Sequence, residues 1–550
     1  MDPGGWASIM IRVATSELPH LAGGLSISAD FEDIRLHFHE YFPAVLPLAT
    51  VDHERWVGEP HVLQGNRLCV FLDPSREWRP EQGMRGYLER LHQWLADAAL
   101  GRFDAETALY HPVGGIVHQS KGTPLFVVRQ SLSKLERKML RRIQVRERSE
   151  ERADLIAWSS ETKVSAARVG LAITTADALP YGAGTTLLQL LSRLKQQGMD
   201  ASLLSAAMVR AASANPAGDS LFVVLIVPFG KGRVGRDHLL AFRLGPKITS
   251  VLQSLNHQEA FPTDVNPVAL PLNEPLEWCQ TADERPEIHR RRDSQRPVAI
   301  FSDLKIEVWG AGALGSWIAE FLARAGAAEI TLHDPARVTG ALLVRQNYEE
   351  DDVGASKAER IAARLNRISD GVVANGHQGT ALALCHPDHF PDCDLIIDST
   401  VDNGVSFYLG LAMKALDKKP WIAQVATDVH SATLGLLTVV APSDHVAIGE
   451  LDEVAGKLVE ADPSLESFRV FWTNPAPGEE LLPAPGCSVP TFHGAATDVA
   501  SVSASLLTFL AQQISAGESG VHLLALPHAP VNAPPHHYIP MDLPKGETSP

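Results

Sequence analysis

The sequence predicts a multidomain protein of mixed α/β and α+β class, on three observations. The chain has 550 residues, 45% hydrophobic and 21% charged, which suits about three globular domains. Ile34, Leu36 and Phe38 alternate with Arg35, His37 and His39, the period of a half-buried strand. Ile306-Glu-Val-Trp-Gly-Ala-Gly-Ala-Leu-Gly315 joins a short apolar strand to a helix through closely spaced glycines, the opening of an α/β unit.

Bulk properties narrow the function. A net charge of -17 disfavours direct nucleic-acid binding, since neutralising phosphates needs clustered cations. Residues Met1 to His20 lack a charged stretch followed by an apolar run, and the most apolar stretch, Leu221 to Val227, is too short to span a bilayer. The expectation is a soluble cytoplasmic protein without a membrane partner. The five cysteines are scattered and form neither a disulfide framework nor a C-x-x-C pair, so each is a candidate thiol or a small core residue.

The first domain is expected over 1–110. After its alternating strand, Tyr41 to Pro47 makes a proline-marked turn. Glu59-Pro-His-Val62, Gly65-Asn-Arg-Leu68-Cys69-Val70 and Trp78-Arg-Pro80 follow, then a helix with Met84, Leu88, Leu91 and Leu95 on one face. Residues 111–295 are expected to hold a linker helix and a middle α/β domain. Lys134 to Arg152 mixes basic and acidic residues with Leu132, Leu135, Met139 and Leu140 at helical spacing, which predicts a solvated connecting helix. Val169 to Thr174 and Leu221 to Val227 read as strands and Thr185 to Lys195 as a helix. Pro262, Pro267, Pro271, Pro275 and Pro286, then Arg290 to Arg296, form the linker onward.

The third domain, 296–526, carries the densest pattern. Gly310, Gly312 and Gly315 have the G-x-G-x-x-G spacing of a phosphate-binding turn, and Asp334 ends the next strand where a ribose acceptor is expected. Arg345-Gln346 comes next, Gly354-Ala-Ser-Lys357 opens a helix, and Asp394-Leu-Ile-Ile-Asp398 reads as a buried strand leading to Asp402-Asn403. Trp421 to Ala426 and Leu434 to Val440 continue the sheet, and Val446 to Glu460 is an acidic helix. Cys487 lies in a Pro/Gly-rich loop before a helix bearing Val499, Val502, Leu506, Phe509 and Leu510, where a helix N-terminus would favour its thiolate. Cys385 and Cys393 flank a His-Pro-Asp-His stretch with no second pair to complete a zinc site. The Pro/His-rich tail, 527–550, reads as extended and mobile.

The C-terminal set resembles the ThiF/MoeB/ubiquitin-activating superfamily of adenylating enzymes. That resemblance implies a Rossmann-like ThiF adenylation domain using ATP and Mg2+. Gly310, Gly312 and Gly315 would form the nucleotide turn, Asp334 would hold the ribose, Arg345, in its pair with Gln346, and Lys357 the phosphates, and Asp402 the metal. Cys487 matches the position of the catalytic cysteine on the family's crossover loop. The chain departs from the pattern in three ways. Ala336 stands where an acid often follows the ribose Asp, Leu342 where an Asn precedes Arg-Gln, and Phe407 or Tyr408 where an Arg follows Asp-Asn. Arg292 or Arg296 would be the arginine that reaches a partner's ATP in a homodimer.

The N-terminal motifs resemble the ubiquitin-conjugating fold, an α+β domain, with Cys69 as the thioester cysteine and Val62 in place of the Asn that follows Pro-His. Together the two resemblances suggest a fused bacterial ubiquitin-like transferase of the kind found in antiviral CBASS operons. Its substrate would be a protein with a free C-terminus, either a cGAS-like nucleotidyltransferase or a ubiquitin-like protein, and its acceptor a target lysine. The alternatives are a sulfur-carrier adenylyltransferase without a thioester relay and an NAD-dependent oxidoreductase.

Overall fold

The alternation at Ile34 and Leu36 does build a strand. The computed structural model describes residues 5–18, 21, 24–103, 107–108, 111–132, 136–159, 166–229, 237–255, 271–286, 288, 295–473, 481–484, 487–490 and 492–541. Its first unit runs from Met1 to Arg291 and its second from Arg292 to Pro550. The first opens with β1 (Trp6–Ala14), β2 (Phe31–His39), β3 (Leu48–Thr50), β4 (Val62–Leu63) and β5 (Arg67–Leu68), in the sheet order β1-β2-β3-β5-β4. Helix α1 (Gly83–Ala99) joins Tyr87, Leu91, Trp94 and Leu95 to one apolar cluster with Ile34 and Leu36. Leu88, expected on that face, is exposed, because the buried stripe is centred on Leu91 and Leu95 and takes Tyr87 and Trp94 instead.

The rest of this unit is an eight-stranded sheet, and here one expectation fails. From Glu136 to Arg152 there is no helix. Leu140–Ser149 forms β7, following β6 (Leu125–Val128) and turning into β8 (Arg152–Ala157), while Lys134 and Leu135 lie outside the described residues. Ile143 and Val145 are buried, and β7 pairs with β8 on one side and with β9 (Arg168–Thr174) on the other. Its charges are balanced across the ladder, Arg148 and Arg152 on Asp154 and Arg168 on Glu147. The sheet continues with β10 (Leu221–Val227), β11 (His238–Leu244), β12 (Glu277–Cys279) and β13 (Thr281–Asp283). Helices α2 (Leu187–Gln196) and α3 (Ala201–Ala212) start at side-chain caps, Thr186 and Asp200, that accept backbone amides. Helix α4 (Pro246–Leu255) completes the unit's apolar cluster.

In the second unit β14 (Lys305–Trp309) leads into α5 (Ala313–Ala325), and β15 (Glu329–His333), α6 (Lys357–Ile368) and β16 (Val373–His377) follow. The chain then crosses to β17 (Leu395–Asp398), α7 (Asn403–Ala415) and β18 (Trp421–Thr427). These five strands are parallel, in the order β16-β15-β14-β17-β18. The order reverses between β14 and β17, which opens a crevice at their carboxyl ends, the usual ligand site of such a sheet. Beyond β18 the sheet turns antiparallel through β19 (Leu434–Val440) and, after α8 (Ile448–Ala461), a hairpin of β20 (Leu481–Ala484) and β21 (Cys487–Pro490), and α9 (Ala496–Ala516), through β22 (Gly520–Ala525) and β23 (His536–Pro540). Among the described residues α9 is the one helix long and apolar enough to cross a membrane, and its Val499, Val502, Leu506 and Leu510 are buried in the core. Strand β23 corrects the reading of the tail: Ile539 is buried and the segment pairs with β22 over five registered positions, so at least 536–540 is sheet.

Candidate active site

The glycine turn sits at the crevice. Gly310 follows β14 with φ of 86°, and a β-carbon there would stand 2.9 Å from Ser399 Oγ. At Gly315 a β-carbon would meet the Gly310 carbonyl oxygen at 2.0 Å, so only glycine lets α5 pack this close. At Gly312 nothing lies within 4 Å, which leaves open space above the turn. Ser399, just past β17, donates to the carbonyls of Trp309 and Gly310 at 3.0 and 2.9 Å and locks the turn to the neighbouring strand. Asp334 is buried, with Oδ2 accepting the Ala311 amide at 2.8 Å and Oδ1 the Ala336 amide at 2.7 Å.

Two polar groups near this turn have no partner among the described residues. Lys357, in the first turn of α6, is 8% exposed, and its ammonium makes no hydrogen bond or ion pair among the described residues. Burial lowers its pKa, opposed by Asp334 and reinforced by Arg345, so both groups are near enough to act on it. Gln346 Oε1 is buried and unbonded. A buried cation costs several kcal/mol by general estimates unless something pairs with it, so an anionic ligand at Lys357 fits. Amides at the start of α5, an open space above Gly312 and a buried lysine are together a donor set for phosphate.

Arg345 is held by Phe492. Its Nη1 donates to the Phe492 carbonyl at 3.1 Å, and its guanidinium lies 5.3 Å from the Phe492 ring centroid. Its own carbonyl accepts Trp317 Nε1 at 3.1 Å. Asp402 is exposed and caps α7, with Oδ1 taking the amides of Gly404 and Val405 at 2.7 and 3.3 Å. Asp398, 0% exposed, is pushed towards the neutral form by burial while Thr400 and Gln424 bond its carboxylate. Among the described residues no three His, Cys, Asp or Glu side chains converge as metal ligands. Asp402 alone could contribute one carboxylate to a Mg2+ otherwise held by phosphates and water, the common arrangement for that ion.

Cys69 follows β5 and is partly buried. Its amide donates to the His61 carbonyl at 2.8 Å and its thiol to the Phe71 carbonyl at 3.4 Å. Burial raises its pKa, with Arg67 and Arg90 opposing and Glu77 adding. The position after Pro-His is filled by Val62, 2% exposed in the core, which offers no polar side chain to an oxyanion. Cys487 opens β21, in register with Ala484, and its side chain lies outside the described residues, as do Pro485, Gly486 and Arg292. The loop expected there is a strand, and α9 begins only at Ala496. Arg296 precedes the short turn Pro297–Phe301. Cys385 and Cys393 are buried in an apolar cluster, where burial raises both thiols, Cys385 to about 11.

The site also uses residues that sequence reasoning passed over. Tyr348 donates its hydroxyl to the Ala311 carbonyl at 2.6 Å. Asn347 donates its amide to Ser316 Oγ and its Nδ2 to Glu320 Oε2, at 3.1 and 2.6 Å. Polar residues on the inward face of an otherwise apolar helix, Ser316 and Glu320 in α5, were the available signal.

Comparison with known proteins agrees with this division. Residues 298–463 match the ThiF family and residues 23–127 match Prokaryotic E2 family A. The chain therefore joins a prokaryotic E2-family segment in its first unit to a ThiF-family segment in its second. It is 41% identical over 76 residues to the tRNA threonylcarbamoyladenosine dehydratase of Escherichia coli K12, a match covering 14% of this chain and 28% of that one. It is 34% identical over 125 residues to the adenylyltransferase and sulfurtransferase uba4 of Emericella nidulans, covering 22% and 26%. The match thus spans about a quarter of the length of these curated relatives. Among solved structures, E. coli MccB with ATP aligns at 16% identity and a TM-score of 0.31, over 44% of this chain and 66% of that chain.

Proposed function

We propose that the protein activates the C-terminal carboxylate of a protein substrate with ATP and passes the acyl group through thioesters to an amine. The observation that carries this reading is the buried Lys357, unpaired among the described residues, beside the glycine turn of a ThiF segment, in one chain with an E2-family segment bearing Cys69. The substrate carboxylate attacks the α-phosphorus and pyrophosphate leaves. Lys357 and the first amides of α5 take up the negative charge that builds on the phosphate oxygens. Asp402 would hold the Mg2+ that shields those oxygens. The Cys487 thiolate then attacks the acyl carbon, AMP departs, and the thiolate of Cys69 displaces Cys487. A lysine amine finally displaces Cys69 and gives an amide. Each transfer exchanges one acyl bond for another, which divides a difficult step into easier ones. The cytoplasm, where ATP is plentiful, is the compartment this chemistry needs, and antiviral conjugation of the CBASS kind is the setting the fusion suggests.

Intact mass without reductant, on protein co-expressed with its genomic neighbours, tests the relay. A thiol-labile adduct of one neighbour's mass is expected on wild type. It should be absent from Cys69 in Cys487→Ala and accumulate on Cys487 in Cys69→Ala. ATP–pyrophosphate exchange without any adduct would instead mark an adenylyltransferase of the sulfur-carrier kind.

A further inference from the structure

We propose that Tyr348 is a positioning residue of the nucleotide cradle, whose hydroxyl fixes the Ala311 peptide so that the first amides of α5 face the phosphates. The proposal rests on the nucleotide reading above. Tyr348 is 7% exposed and packs in the apolar cluster that also holds Ala311, Leu314 and Ile318. Its hydroxyl reaches the Ala311 carbonyl at 2.6 Å, while Asp334 takes the Ala311 amide at 2.8 Å. The residue between the first two glycines is thus pinned through both of its backbone polar groups by two segments distant in sequence.

The pin has a consequence for ligand binding. An α-helix pairs each amide with the carbonyl four residues earlier, so Ala311 is the natural acceptor for the Gly315 amide. Turned towards Tyr348, that carbonyl leaves the Gly315 amide free, and the first helical bond runs from Ser316 to the Gly312 carbonyl at 3.2 Å. Burial also raises the phenol pKa, so the hydroxyl remains a donor across the working pH range. Tyr348 closely follows Arg345 and Gln346, and Asn347 ties the same segment to Ser316 and Glu320 of α5. Glu320 is itself gripped by Arg324 and Arg364. Glycine turn and Arg-Gln segment are therefore tied together by side-chain bonds.

The test is calorimetric titration of ATP-Mg and of adenosine into the full chain, as wild type and as Tyr348→Phe, which keeps the ring and removes the donor. ATP affinity is expected to fall about ten-fold, the size of one net hydrogen bond, with adenosine affinity unchanged. Equal ATP affinity in the two proteins would overturn the proposal, and so would an equal fall for ATP and adenosine, which marks a general packing role. If wild type binds no ATP, the nucleotide reading fails and this one with it. Hydrogen exchange on wild type gives a check that does not depend on the variant folding. ATP should protect the amides of Gly312 to Gly315 while leaving that of Ala311, already bonded, unchanged; no protection at Gly312 to Gly315 would sink the proposal.

Discussion

Lys357 is held in a conformation that the protein alone does not reward. Its side chain is largely buried and its ammonium pairs with nothing among the described residues, so burial disfavours the charge in the apo protein and a phosphate would offset that. Lys357→Met should therefore raise the apo melting temperature, by an amount reflecting about 1 kcal/mol, and abolish the stabilisation by ATP. A variant less stable than wild type would mean that the ammonium has a compensating partner after all. Residues of this kind were legible from sequence because they are constrained by backbone or charge. Gly310 and Gly315 are required by contacts no other residue tolerates, Asp334 ends a strand, and Lys357 opens a helix. Tyr348, Ser399 and Ser316 were not legible, because a hydroxyl's role depends on which carbonyl or amide faces it, and that is decided by strands far away in the chain. Arg345 was legible as a cation but not in its partner, since Phe492 lies 147 positions on.

At the scale of elements, the two misread segments share a cause. In β7 the period of two is carried only by Ile143 and Val145, while Gln144, between them, is also buried and flanking charges pair with neighbouring strands. In β23 a run of histidines looks like solvent-exposed tail, yet three aromatic rings make it sheet. His522 and His536 stack on Phe509, and His522 Nε2 lies 2.9 Å from Gln513 Oε1 and its Nδ1 3.0 Å from His536 Nε2. With Gln513 Oε1 as acceptor, His522 Nε2 donates, and neutral Nδ1 accepts from His536. Burial, then the nearby His536, lowers the His522 pKa from 6.5 to about 4. The folded state thus favours neutral imidazole, and the stability it contributes is present above 6.5 and lost as the pH falls from 6.5 towards 4. Thermal melts should show a loss on the order of 2–3 kcal/mol across that window. His522→Phe, which keeps the stack and removes the titrating group, should flatten the slope; an unchanged slope would assign the acid sensitivity elsewhere.

Over the whole molecule, the division into two units makes a prediction about heat. Each unit buries apolar clusters of its own, around Leu36 with Leu91 and Leu171 with Val223 in the first, and around Val308 with Leu506 and Ile396 with Leu451 in the second. Scanning calorimetry should therefore resolve two transitions. A ligand stabilises only the unit that binds it, by RT ln(1 + [L]/Kd), about 2.7 kcal/mol at a hundred-fold excess over Kd. For a unit of this size that amounts to roughly 5–10 °C. ATP-Mg should raise one transition and leave the other in place, while NAD should move neither. The responding transition is assigned by Lys357→Met, which should shift it without ligand and remove its response to ATP. A shift with NAD instead would make the glycine turn a dinucleotide site and remove the basis for adenylation. Equal shifts of both transitions would mean that the two units unfold as one cooperative system, with nucleotide bound in the second stabilising the first as well.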